Sequence, residues 1–160
     1  MVIVVMGVSG AGKTAIGRAL ASATKASFVD ADDLHSAANV AKMRSGAPLD
    51  DDDRAPWLAA VRAVIARWLD DATDGVVACS ALKQSYRDTL MKPHENVHLV
   101  YLRADRATLE RRLRARSQHF MPASLLDSQL STLEPPTDAI VVDAARPIDE
   151  VVRAIVSAVM

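Results

Sequence analysis

The sequence predicts a three-layer α/β fold: a five-stranded parallel sheet with helices on both faces and a helical lid. Three observations predict it. Five short apolar runs are near-continuous rather than alternating in polarity, as strands covered on both faces must be. Helical patterns fill the gaps between them, and a glycine-rich segment joins the first run directly to the first of those patterns. At 160 residues and 50% hydrophobic content the chain can bury a sizeable core, and it reads most simply as one domain spanning 1–160.

Taken in order, the strand candidates are Ile3 to Met6, Ser27 to Val29, Val76 to Cys79, Val97 to Leu102 and Ile140 to Val142. Helices are expected over about Lys13 to Thr24, Asp33 to Ser45, Asp52 to Asp71, Lys83 to Met91, Arg106 to Arg116, Pro122 to Leu133 and Ile148 to Val159. Turn residues at Gly46, Pro48, Asp74-Gly75 and Pro135-Pro136 punctuate them.

The segment Gly7-Val8-Ser9-Gly10-Ala11-Gly12-Lys13-Thr14 fits G-x-x-x-x-G-K-S/T at every fixed position and follows Val2-Ile3-Val4-Val5-Met6 without a spacer. This is the sequence of a P-loop. Its glycines let the backbone curl so that N–H groups aim at phosphate oxygens, and the following helix adds the positive end of its dipole. Nucleotide binding is therefore expected at Gly7, Ser9, Gly10, Ala11, Gly12, Lys13, Thr14 and Ala15. Lys13 reaches the β- and γ-phosphates in such loops, and the Thr14 hydroxyl ligates Mg²⁺. A chance glycine-rich turn would lack the strand before it and the helical pattern of Ile16 and Leu20 after it.

Charge and cysteine content narrow the partners. Nineteen basic residues against 20 acidic ones give a net charge of −1, with no broad field for nucleic acid. No apolar run approaches the roughly 18 residues of a membrane span, and Met1 begins directly on the first strand without a leader pattern, so a soluble cytoplasmic protein with no membrane partner is expected. The single cysteine, Cys79, sits in an apolar run and reads as a small buried hydrophobe rather than a redox or metal group.

In doubly wound sheets ligands sit beyond the carboxyl ends of the strands, so the polar residues just after each apolar run are the candidates. After the second run come Asp30 and Asp32, which point the same way if the chain stays extended. One suits Mg²⁺ through water and the other suits the proton of an attacking hydroxyl, while capping of the next helix by Asp32 or Asp33 is the plainer alternative. After the third run, Ser80 either touches a magnesium-bound water or caps a helix. Lys83 and Arg87, at i and i+4, form either a solvated stripe or a paired positive site for an anion.

Arginines crowd the stretch from Arg103 to Arg116, at 103, 106, 111, 112, 114 and 116. Phosphoryl transfer accounts for that density, because a guanidinium from a closing segment neutralises the charge that spreads over the departing group. Glu110 and Arg114 are placed to pair on one helix face, whereas Arg112 and Arg116 share another. Residues of about 112–133 are read as a mobile lid. The acidic run Asp50 to Asp53 favours a helix start, with Trp57 in the core at the spacing Trp57, Val61, Val64, Trp68, and it leaves Arg54 placed to face an acceptor pocket.

These pieces together resemble the gluconate kinase (gluconokinase) family of small P-loop kinases, a group related to shikimate and nucleoside monophosphate kinases. The matching segments are the P-loop from Met6; Asp30-Ala31-Asp32-Asp33-Leu34-His35; Asn39 with Lys42-Met43; Gly46 to Trp57; Cys79 to Lys83 with Tyr86-Arg87; Arg112-Leu113 and Arg116 with His119-Phe120; and Ser128-Gln129 with Leu133-Glu134. They span nearly the whole chain in the family's order. The segments from Pro48 to Trp57 and from Cys79 to Lys83 are far more particular than the P-loop.

The resemblance implies ATP-dependent phosphorylation of the 6-hydroxyl of D-gluconate. It implies Asp32 as the acceptor-side base, Asp30 with Thr14 at magnesium, and Lys13 and Arg116 as further catalytic groups. His35, Arg54, Lys83 and Arg87 would surround the sugar acid, and Arg112 and Arg116 would contact ATP from the lid. The loop Asp143 to Pro147, with Arg146, would lie near the adenine, and a homodimer is the family's habit. One departure stands out: Ala31 replaces a usual glycine between the two acidic positions and would be strained if that site needs positive φ.

Residue chemistry alone reaches a phosphotransferase acting on a small hydroxyl compound. A polyol carboxylate suits it, since the negative end needs an arginine or lysine and the hydroxyls need acceptors. The alternatives are a shikimate-type or other small-metabolite kinase, and, in a different class, a nucleotide-hydrolysing regulatory switch.

Overall fold

The computed structural model describes residues 1–93, 95–116 and 124–160. Its sheet has the order β2-β3-β1-β4-β5, formed by Val2–Met6 (β1), Ser27–Asp30 (β2), Gly75–Ala78 (β3), Val97–Arg103 (β4) and Ile140–Asp143 (β5), and every pairing is parallel. Helices α1 (Lys13–Thr24), α2 (Ala37–Arg44), α3 (Asp51–Asp70), α4 (Gln84–Met91), α5 (Arg106–Ala115), α6 (Ser124–Thr132) and α7 (Ile148–Val159) connect and cover the strands.

The side-chain alternation of β1 divides the core into two layers. Ile3 and Val5 pack with Ile16 and Leu20 of α1, Leu109 of α5, Leu126 of α6 and Ile155 of α7. Val2, Val4 and Met6 pack on the other face with Trp57, Val61 and Ile65 of α3 and with Tyr86 and Leu90 of α4. β1 is fully buried because both of its faces are covered, and this explains why its sequence shows no polar alternation.

The crossover after β1 runs toward β2, whereas the one after β3 runs toward β4 on the far side of β1. Neighbouring strands whose chains leave in opposite directions open a crevice at their carboxyl ends. Three segments meet there: the P-loop after β1, the acidic residues after β2 and Ser80 after β3.

Two expectations need correcting. The helix expected over Asp33 to Ser45 is broken in two: a 3₁₀ turn covers Ala31–Leu34, His35 and Ser36 are extended, and α2 starts at Ala37. Capping accounts for the break. The Asp30 carboxylate accepts from Asp32 N–H at the turn, and the Ser36 hydroxyl accepts from Asn39 N–H at 3.1 Å at the start of α2. Gly75, read as a turn residue, is instead the first residue of β3. A Cβ there would lie 2.1 Å from Cε3 of Trp68, so the indole of α3 requires the glycine. The expected lid falls partly on residues 117–123, outside the described residues, while its C-terminal portion includes α6.

Candidate active site

The P-loop turns as its glycines demand. Gly10 and Gly12 have φ of 88° and 93°, and a Cβ on Gly10 would approach Leu109 O to 3.0 Å. Gly12 is the residue preceding α1, so the amides of the first helical turn open into a cleft. That cleft, about 1040 Å³ of space, is lined by Ser9, Gly10, Gly12, Lys13, Thr14, Ala15, Arg18, Asp30, Asp32, Asp33 and Arg116. Lys13 donates from Nζ to Val8 O at 3.2 Å. Burial pushes its ammonium pKa down, the charges of Asp32 and Asp30 push it back up, and Arg116 adds to the lowering.

Thr14 Oγ1 donates to Asp30 Oδ2 at 2.5 Å. That bond takes up the hydroxyl proton and leaves the Thr14 lone pairs for a cation. Hard oxygen donors of this kind suit Mg²⁺, which is held by one or two carboxylates together with phosphates rather than by a protein cage. Among the described residues no cluster of three or more His, Cys, Asp or Glu side chains forms such a cage.

A second cleft adjoins the first and shares Ser9, Lys13 and Asp32 with it. Its other walls are His35, Met43, Pro48, Leu49, Arg54, Trp57, Ser80, Leu82, Leu125, Ser128 and Gln129. Trp57, expected as core, is buried and also shapes this wall. Its Nε1–H donates to Ala31 O at 2.7 Å, tying α3 to the turn that carries Asp32, and its ring stacks on His35 at 4.4 Å. Ala31 does not have positive φ, so the replaced glycine introduces no left-handed strain.

Arg54 donates from Nη1 to the Tyr86 hydroxyl at 3.2 Å. Tyr86 in turn donates to Asp51, and Lys83 Nζ lies 2.9 Å from the same Asp51 carboxylate. Those two donors, Tyr86 first, hold the Asp51 carboxyl below its ordinary range. Lys83 is thus tied to the start of α3 and lines neither of the two clefts.

Arg87 departs from its expected place. It is buried, and it donates to Ala81 O and Leu82 O at 3.0 Å and to Glu134 O at 2.8 Å. It therefore does not pair with Lys83 to form an anion site. Its bonds instead brace Ala81, held at a φ of 45°, in the turn between Ser80 and Leu82. Arg146 is exposed and pairs with Glu150 at 2.9 Å, lining neither cleft. Arg112 holds the P-loop from beneath, donating to Gly10 O and Ala11 O at 3.3 and 3.2 Å and to Ala144 O at 2.5 Å, which docks the loop after β5 against the P-loop.

Sequence reasoning attached no role to Gln129 beyond its place in the family pattern. In the structure Gln129 Oε1 accepts the Ser9 N–H at 2.7 Å. The helix that carries it, Ser124–Thr132, is mostly polar, so nothing local in the sequence singles Gln129 out from Asp127, Ser128 or Ser131.

The fold and these two joined clefts define a small P-loop kinase. A protein-family profile described as an AAA domain matches residues 2–136. The thermoresistant gluconokinase of Escherichia coli strain K12 is 40% identical over 162 residues, covering 99% of this chain and 93% of that protein. Among solved structures, a gluconokinase from Sinorhizobium meliloti 1021 superposes with a TM-score of 0.85 at 44% identity, covering 98% of this chain and 90% of that one. A sugar kinase from Janibacter sp. HTCC2649 superposes with a TM-score of 0.90 at 40% identity, covering 98% and 92%. The chain belongs to the gluconokinase family.

Proposed function

We propose that the protein transfers the γ-phosphoryl group of ATP to the 6-hydroxyl of D-gluconate, giving 6-phospho-D-gluconate and ADP. One observation carries this reading: a phosphate-binding cleft and a second, partly apolar cleft share Ser9, Lys13 and Asp32, so a donor in one faces an acceptor in the other. The acceptor's identity draws its support from the names of the relatives.

In this reading the acceptor hydroxyl oxygen attacks the γ-phosphorus in line as the bond to the β-phosphate oxygen breaks. Asp32 accepts the hydroxyl proton. Lys13 and Arg116 offset the charge on the transferring oxygens. Arg54 meets the acceptor carboxylate, with Tyr86 orienting its guanidinium, and His35 meets a hydroxyl. Mg²⁺ would be held by Thr14, with Asp30 behind it, and would supply positive charge to offset the negative charge developing on the phosphates. Ala15 and the P-loop amides bind phosphate, while the loop Asp143 to Pro147, with Arg146, borders the adenine. Residues of about 112–133 act as the lid of a single kinase domain.

No helix among the described residues is long and apolar enough to cross a membrane. We take the protein to be a cytoplasmic homodimer working on small molecules, without nucleic-acid or membrane partners. A coupled ADP-release assay with gluconate, shikimate, other sugar acids and nucleoside monophosphates tests the reading. Gluconate should give the highest kcat/KM. ADP release that is independent of any acceptor would favour the hydrolytic switch instead.

A further inference from the structure

Asn39 lies outside the two clefts, is 8% exposed, and touches a residue that lines the acceptor cleft. Its Nδ2 donates to Asp53 O at 2.9 Å and lies 3.3 Å from His35 Nδ1. A backbone carbonyl is only an acceptor, so the atom facing Asp53 O must be the amide nitrogen and the flip of the Asn39 side chain is fixed. An amide nitrogen has two protons. One goes to Asp53 O, and the other points at the imidazole, which must then present a lone pair at Nδ1.

We infer that Asn39 is a positioning residue that locks His35 as the Nε2–H tautomer, so that the imidazole offers the acceptor cleft a neutral hydrogen-bond donor. The inference deepens the functional reading above and rests on it for the identity of the acceptor. A neutral donor of fixed direction favours a hydroxyl or carboxylate oxygen over an ammonium or another N–H group. It thereby contributes to selection of polyhydroxy acids.

Three further features hold the ring in that state. The ring is stacked on Trp57 at 4.4 Å with 12° between planes, which fixes the plane in which Nδ1 meets the amide. The extended backbone at His35 and Ser36, enforced by the Ser36 cap on Asn39 N–H, sets the spacing between the imidazole and the amide. Burial, with the Arg54 charge adding to it, pushes the imidazole pKa down to about 4, which keeps the ring uncharged at neutral pH. The Asp53 side chain is engaged by Lys42 at 2.6 Å and by Asp50 N–H at 3.0 Å, which leaves the Asp53 carbonyl as the group that Asn39 reads.

Long-range ¹H–¹⁵N correlation spectra of the wild-type protein, assigned through the absence of the signal in His35→Gln, report the tautomer directly. Nε2 protonated and Nδ1 bare is the expected result; a proton on Nδ1 overturns the inference whatever the acceptor proves to be. In Asn39→Ala the spectrum should show exchange between the two tautomers. The acceptor KM should rise about fivefold, the loss of one ordinary hydrogen bond, with the KM for ATP within about twofold. An unchanged acceptor KM with an unchanged spectrum also overturns it. If Asn39→Ala does not fold, the wild-type spectrum still decides. A wild type inert toward gluconate would overturn the functional reading while leaving the tautomer result standing.

Discussion

The backbone N–H of Ser9 donates to Gln129 Oε1 at 2.7 Å, which bonds the P-loop to helix α6 across 120 residues of chain. Both residues line the acceptor cleft, so the bond sets the distance between the phosphate-binding loop and the wall facing it.

Gln129→Ala should therefore loosen the relation between donor and acceptor without emptying either cleft. Loss of one partly buried hydrogen bond predicts a drop in kcat/KM of about three- to tenfold. Steady-state kinetics with both substrates varied checks this. Unchanged constants would reduce the bond to a packing detail.

Asp32 lies where the two clefts join. Asp32→Asn keeps the size and removes the proton acceptor, so kcat should fall by about 10²- to 10⁴-fold while the KM for ATP stays within about twofold. An effect confined to the KM for ATP would move Asp32 from acceptor activation to the metal.

How much of this was legible in the sequence follows from the range of the interactions. Strands and most helices are read from local apolar runs and caps, and the P-loop from a contiguous motif, so these needed no tertiary information. The break at His35 and Ser36 was hidden because residues 33–45 carry good helix formers, and two short-range caps outweighed them. Arg87 resisted for a different reason. Its spacing from Lys83 suits a surface pair, and only the fold reveals that three backbone carbonyls, one of them at Glu134, draw it inward. Gly75 likewise looked like a turn residue until the Trp68 ring took the space above it.

Arg54 is half-buried at the acceptor cleft and held by Tyr86 through both a hydrogen bond and its ring face, 5.6 Å from the guanidinium carbon. A charge-assisted contact to a carboxylate predicts that Arg54→Ala raises the acceptor KM about ten- to hundredfold, with the KM for ATP little changed. Isothermal titration with each substrate separately checks the split. Equal weakening of both would return Arg54 to a structural role.

His35 also gives the fold a pH dependence. Its pKa is lowered from 6.5 to about 4 in the folded protein, so between those values the unfolded chain binds a proton that the folded one refuses. The stabilisation is complete above pH 6.5 and is lost as pH falls toward 4. Urea unfolding midpoints should drop more between pH 7 and pH 5 for the wild type than for His35→Gln. Equal drops would contradict the burial argument.

Transfer to a primary hydroxyl held beside Lys13 and Asp32 is visible by ³¹P NMR of the reaction with ATP and D-gluconate. A new phosphomonoester signal, split into a triplet by the two protons on C6 and growing in step with ADP, is expected. Inorganic phosphate as the sole product, or a doublet from a phosphate on one of the secondary CH–O carbons, would overturn it.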